Sequence, residues 1–186
     1  MSLPFDEAKA TQAAVAILRL RGGRMHYIKL IKLLYLVDRE ALLNWGTPVT
    51  TDHWVAMKNG PVGSNVLNLI TEETREKPIW SKYISPPLGD WEVELRVQGE
   101  LPKDRLSRAE EKLLTKVYEE YGYRNRWDLI DNVMHNLPEW SDPGNSSIPI
   151  SVRDILESGN EKPEEIKAIT RELRMMGRTA KVLSGI

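Results

Sequence analysis

The sequence predicts a mainly α fold, a compact helical domain with a small β-hairpin inserted between helices. Apolar residues recur at helical spacing along most of the 186 residues, and the runs end at Gly or Pro. Only the segment 79–97 changes to strict alternation. The apolar fraction of 41% and the charged fraction of 28% are those of a globular chain. A chain of this length buries most of its apolar surface around one core, so residues 1–186 are read as a single domain.

From 6 to 21, Ala10, Ala13, Ala14, Ile17 and Leu18 recur at helical spacing, and Gly22 with Gly23 supplies the stop. Residues 27–45 are apolar on most sides, which marks the central helix of the domain. On a helical wheel Lys29, Lys32, Arg39, Glu40 and Asn44 fall on its narrow polar stripe, whereas Asp38 falls on the apolar side. After Gly46 and Pro48, a polar lead-in at 50–52 and an apolar stretch at 53–57 end at the break Lys58-Asn59-Gly60-Pro61. Gly tolerates positive φ and Pro then fixes a helix-start φ, so Pro61 is expected to open a third helix. Val66, Leu67 and Ile70 should be its buried side, and it should end before Pro78.

In 79–97, Trp91, Val93, Leu95 and Val97 alternate with Glu92, Glu94 and Arg96, and Tyr83 and Ile84 precede a Pro86, Pro87, Gly89 turn. This is the expected hairpin. Ser107 and Glu110 form a capping box for a helix carrying Leu113, Leu114, Val117, Tyr118 and Tyr121, stopped by Gly122. A helix over 127–135, an extended stretch over 137–140 and a Ser/Pro/Gly/Asn-rich loop to Pro149 follow. A short helix over 152–157 and a longer one opened by Pro163 complete the chain, the latter with Ile166, Ile169, Leu173 and Met176 inward. The tail after Gly177 is expected to fray.

Composition removes several classes of function. No apolar run approaches the ~18 residues of a membrane span, and residues 1–9 lack the basic-then-apolar layout of a secretory signal. The absence of cysteine excludes disulfides, thiolate zinc sites, iron–sulfur ligation and cysteine nucleophiles. A cytoplasmic protein fits these features. With 26 basic and 27 acidic residues the net charge is −1, so nucleic acid is an unfavoured partner unless charge is locally segregated. Six tryptophans against one phenylalanine supply large amphipathic rings that serve as core pillars or as contact anchors.

No catalytic or metal motif emerges. His26, His53 and His135 are too scattered for a ligand spacing, and no Ser sits in a Gly-x-Ser-x-Gly elbow. Gly22-Gly23 lacks the glycine and lysine of a phosphate loop and ends a helix instead of opening one. A carboxylate on an apolar face is costly without hydrogen bonds or a cation, so Asp38 is expected to be buried and tied to backbone amides or an Arg. His53 and Trp54 precede the Asn59-Gly60-Pro61 turn, which serves either as architecture or as a contact loop on a rigid scaffold. His135, in the last turn of its helix, favours the helix C-terminus by its partial positive charge. Arg171, Arg174, Arg178 and Lys181 have only Glu172 opposing them, which is the pattern of a solvated face, and no aromatics interleave them as nucleic-acid binding would want.

The run Lys29-Leu30-Ile31-Lys32-Leu33-Leu34-Tyr35-Leu36-Val37-Asp38-Arg39-Glu40 resembles the Lys-Leu-x-Lys-Leu-Leu-Tyr-x-x-Asp-Arg helix of the Panacea domain, the domain of SocA-like antitoxins that is also found in phage-associated proteins. Residues 51–62, with Asp52, Trp54, Ala56, Gly60, Pro61 and Val62, are similar to its Asp-x-aromatic-x-Ala-x-x-x-Gly-Pro-Val segment. His135 followed by Pro138, Glu139 and Trp140 matches its downstream order, so the resemblance covers 5–157 and leaves 158–186 outside. After Gly-Pro-Val this chain departs from the family's usual residues, with Gly63, Ser64, Asn65, Val66 and Leu67, the last where an aromatic is common.

The resemblance implies a mainly helical bacterial protein that neutralises a toxin encoded beside it by direct binding, in at least one member by delivering the toxin to a protease. From the residues themselves no cofactor and no metal are expected. Lys32, Tyr35, Asp38, Arg39, His135 and Trp140 are read as the structural motif, and Trp54, Lys58, Asn59, Gly60, Pro61 and Val62 as the partner-contacting surface. The alternatives from other classes are an enzyme using Asp38 or His135 and a nucleic-acid binder using the C-terminal arginines.

Overall fold

In the computed structural model, which describes residues 3–72, 76–96 and 104–184, the most apolar stretch of the sequence becomes the centre of the fold. Helix α1 (Glu7–Leu20) is capped by Asp6, whose side chain accepts from the Lys9 amide. Strand β1 (Arg24–His26) leads directly into helix α2 (Tyr27–Trp45), which ends at Gly46 in the left-handed conformation. Strands β2 (Trp54–Met57) and β3 (Gly60–Gly63) then form a hairpin that passes into helix α3 (Ser64–Thr71). Helix α4 (Trp80–Tyr83), strand β4 (Glu92–Glu94) and helix α5 (Arg108–Tyr121) follow, the last opened by the expected Ser107–Glu110 capping box. Helix α6 (Arg126–Asn132), a 3-10 turn (Met134–Asn136), strand β5 (Ile148–Ile150) and helices α7 (Val152–Ser158) and α8 (Pro163–Ser184) complete the order.

Helices α1, α5, α6 and α7 pack around α2, and the core runs through Ala10, Ala14, Leu30, Leu33, Leu34, Leu114 and Ile155. The alanines of α1 bring its backbone close to α2. Two small antiparallel sheets pack against the helices. β1 pairs with β4, with Met25 opposite Val93, and a second sheet has the order β3-β2-β5, with Trp54 opposite both Gly63 and Ile150. The mainly helical class with small sheets is as the periodicity predicts.

Several local expectations are corrected. Pro61 does not open a helix: it lies in β3 opposite Ala56, and the helix starts at Ser64. As an outer strand of its sheet, β3 accommodates a residue without an N–H. The segment 79–97 does fold back on itself, with Ile84 bridging to Leu95 and Leu88 to Glu92, but Trp80–Tyr83 is helical and the ladder partner of β4 is the distant β1. Val97 lies outside the described residues. Residues 137–140 turn, with the Trp140 amide donating to the Leu137 carbonyl at 3.0 Å, instead of running extended. The helix expected over 127–135 splits into α6 and the 3-10 turn that holds His135. α8 continues through Gly177 to Ser184, and Met176 is exposed on it. Lys29 and Lys32 are buried. A helical wheel gives the angle of a side chain but not what packs over it, and here the α5 end covers Lys29 and the β2–β3 hairpin covers Lys32.

Candidate functional site

The β2–β3 hairpin turns at Lys58 and Asn59, and the left-handed backbone step falls on Gly60 at φ +90°. A Cβ there would lie 2.6 Å from Cβ of Met134, so glycine is required by both conformation and space. The carbonyls around this turn are held by side chains from elsewhere. Nζ of Lys32 donates to Gly60 O at 2.7 Å and to Pro61 O at 3.0 Å. Nε1 of Trp140 donates to Met57 O at 3.0 Å, and Nε2 of His135 meets Lys58 O at 3.1 Å, which requires the ring proton on Nε2. The His135 and Trp140 rings stack with centroids 4.2 Å apart. Burial lowers the Lys32 ammonium to a pKa of about 7.

Asp38 ties α2 to the chain that leads into the hairpin. Its Oδ1 accepts from the amides of Val49 at 2.9 Å and Thr50 at 2.7 Å, and its Oδ2 accepts from the Thr50 hydroxyl and from Nε1 of Trp54 at 3.1 Å. Burial raises its pKa to about 6, against the opposing effect of the Thr50 and Trp54 hydrogen bonds. Asp52 does the equivalent work for α3. It accepts from the amides of Asn65 at 2.8 Å and Val66 at 2.9 Å, replacing the side-chain cap that Gly63 cannot supply. A side chain on Gly63 would overlap the Asp52 carboxylate.

Glu139 is the member of this constellation that sequence reasoning missed. Its carboxylate is fully buried and accepts from Tyr35 Oη at 2.9 Å and from Nε of Arg39 at 2.8 Å, while Nη2 of Arg39 reaches Ser158 Oγ at 3.0 Å. Burial first, and the Glu139 charge second, push the Tyr35 hydroxyl well above its ordinary pKa. One turn of α2 is thereby joined to the 137–140 turn and to α7. The signal available in sequence was an Arg on the central helix and a lone Glu between Pro138 and Trp140.

The family model described as antitoxin SocA-like, Panacea domain, matches residues 30–141, more than half of the chain. The chain belongs to this Panacea-domain family. No curated protein and no solved structure matches it. The matched span of the Panacea domain begins within α2 and ends just after Trp140, so it contains Lys32, Tyr35, Asp38, Arg39, the hairpin, His135, Glu139 and Trp140. These motif residues converge on the α2–hairpin junction, and α8 lies wholly outside the match.

Of the six residues expected to face a partner, only Lys58 and Asn59 are exposed on this Panacea domain. Trp54 is 6% exposed, its indole being engaged by Asp38, and Gly60, Pro61 and Val62 are buried against the 3-10 turn and α2. The expectation that these four form surface is corrected, because the hairpin lies down on the core instead of projecting from it. Asp38 is fully engaged by donors in no open cleft, which leaves it no substrate-facing oxygen. Among the described residues no group of three His, Cys, Asp or Glu side chains gathers as a metal site. No described helix is long and apolar enough to cross a membrane.

Proposed function

We propose that this Panacea-domain protein is an antitoxin that neutralises a partner toxin in the cytoplasm by direct binding, without chemistry of its own. The observation that carries the reading is the match of the SocA-like antitoxin family model over residues 30–141. The site geometry supports it: the polar groups of the motif are consumed holding backbone carbonyls and amides, which is the work of a scaffold. Lys58 and Asn59, presented on a hairpin fixed at four carbonyls, form part of the contact surface, and that rigidity limits the entropy lost on binding.

The test is co-expression with the product of the neighbouring open reading frame. Growth arrest by that product alone and rescue by this chain is the expected result; arrest that persists with this chain present overturns the reading. Following the toxin's half-life in the rescued cells separates two routes. A stable, inactive toxin means occlusion, and a toxin that disappears only when a protease is active means delivery to that protease.

A further inference from the structure

A groove of about 1410 Å³ opens between α8 and the face made by β5, α7 and the start of β2. Its floor is apolar, with Trp54, Ile150, Ile166 and Leu173 nearly buried and with Pro149, Val152 and Met175 accessible beside them. Along its α8 side stand Lys167, Arg171, Arg174 and Arg178, at the alternating spacing of four and three residues that sets side chains in one row on a helix. All four are exposed, and none has an ion-pair or hydrogen-bond partner among the described residues.

The carboxylates lining the groove do not answer this row. Asp52 is occupied by the amides of α3, and Glu157 pairs with Arg153 at 2.6 Å, which leaves Glu161. A chain with a formal charge of −1 therefore concentrates net positive charge on one wall of one groove, four cations against the one remaining carboxylate.

This combination selects a class of ligand. Clefts for small molecules run to roughly 300–1,000 Å³, so the groove suits a length of polypeptide. The row of cations asks for carboxylates at matching spacing, and the floor asks for an apolar face beside them, which an amphipathic helix supplies together. Nucleic acid would satisfy the cations, but single strands bind through exposed rings interleaved with the charges, and no exposed Trp, Tyr or Phe lines this groove.

We propose that the groove docks an acidic amphipathic helix of the partner protein, with its carboxylates on Lys167, Arg171, Arg174 and Arg178 and its apolar side on the accessible Pro149, Val152 and Met175. The partner's identity rests on the antitoxin reading; the chemistry of the docked segment does not. Because α8 lies outside the family match, this surface is one that members sharing the domain need not share.

Fluorescence anisotropy on the full chain tests this with labelled peptides of about 20 residues, roughly 30 Å as a helix. One places Leu on one face and Glu on the other, one scrambles that composition, and one carries Lys for Glu; a DNA oligonucleotide is the fourth probe. The acidic amphipathic peptide is expected to bind at least about tenfold more tightly than the other three, a difference of about 1.4 kcal/mol. The R171E/R174E/R178E variant should lose that binding with an unchanged melting temperature, and R171K/R174K/R178K should keep it. If the triple reversal unfolds, Arg174→Glu alone is read in its place. Equal binding of the scrambled peptide, tighter binding of the oligonucleotide, or full binding by the reversal variant overturns the proposal. In the co-expression assay, rescue by wild type and equally by the reversal variant overturns the groove and leaves the antitoxin reading intact. Failure of wild type to rescue overturns that reading, while the peptide titration still decides the groove.

Discussion

The α2–hairpin junction and the α8 groove are both rich in charge, and they use it in opposite ways. At the junction Lys32, Asp38 and the side chain of Glu139 are buried, and each is held by specific donors or acceptors within the protein, Glu139 through its Oε1. In the groove Lys167, Arg171, Arg174 and Arg178 stand exposed without partners among the described residues. A buried ion is tolerated only when its hydrogen bonds are made internally, so the junction's polarity is committed to the fold. Exposed cations contribute little to stability and remain available to another molecule. The polar motif residues of the junction are therefore scaffold, and the exposed cations of α8 are the charges left for the proposed recognition.

The comparison breaks first at Asp38. Asp38→Ala strands two backbone amides, the Thr50 hydroxyl and the Trp54 indole N–H, and is expected to destabilise the protein by about 2–4 kcal/mol in urea melts. An unchanged unfolding midpoint would refute the assignment. Next comes Gly60→Ala, which combines a left-handed backbone with a Cβ pressed on Met134 and should cost about 1–3 kcal/mol. A Gly60→Ala protein as stable as wild type would mean that the hairpin lifts from the 3-10 turn without penalty.

Lys32 sharpens the contrast through pH. Its folded pKa, lowered to about 7, lies below the ordinary lysine value, so between pH 7 and about 10 the unfolded chain holds a proton that the folded chain has released. Stability from this group therefore rises with pH across that window and is flat below it. Lys32→Met removes the titration and leaves Gly60 O and Pro61 O without their donor, for about 1–2 kcal/mol at pH 7. The stability difference between wild type and variant should widen from pH 7 to pH 10, by at most about 1.4 kcal/mol per pH unit. A difference that stays constant over this range would show that Lys32 remains charged in its buried position.

Much of the helical frame was legible because its signals are local. The limits of α2 follow from its apolar run and Gly46, and the start of α5 follows from the Ser107–Glu110 box. What escaped was whatever depends on a remote partner. β1 and β5 are three residues each, too short to carry a period, and they exist because β4 and β2 lie beside them. Pro61 read as a helix opener because its φ suits a helix start as well as an outer strand. In the site, the polar stripe of α2 follows from angle alone, whereas the burial of Lys32 depends on the remote hairpin carbonyls that it donates to. Asp38 was legible because a carboxylate amid apolar neighbours admits few solutions, whereas Glu139 sits in a short turn with no pattern to mark it.

The smallest expected effect on stability is the one that bears most directly on the tip of the hairpin. Lys58 and Asn59 are exposed, and the contact that fixes this turn uses the Lys58 carbonyl, which a side-chain substitution leaves in place. Lys58→Ala with Asn59→Ala should therefore shift stability by no more than about 0.5 kcal/mol. Trp54 is unsuitable for the same experiment, since removing its indole also removes a donor to Asp38 and confounds contact with folding. If the tip is part of the contact surface, the double variant neutralises the co-expressed toxin less well than wild type while melting at the same temperature. Full rescue by this stably folded variant would remove the tip from the contact surface, and would leave the groove beside α8 as the place where the partner is held.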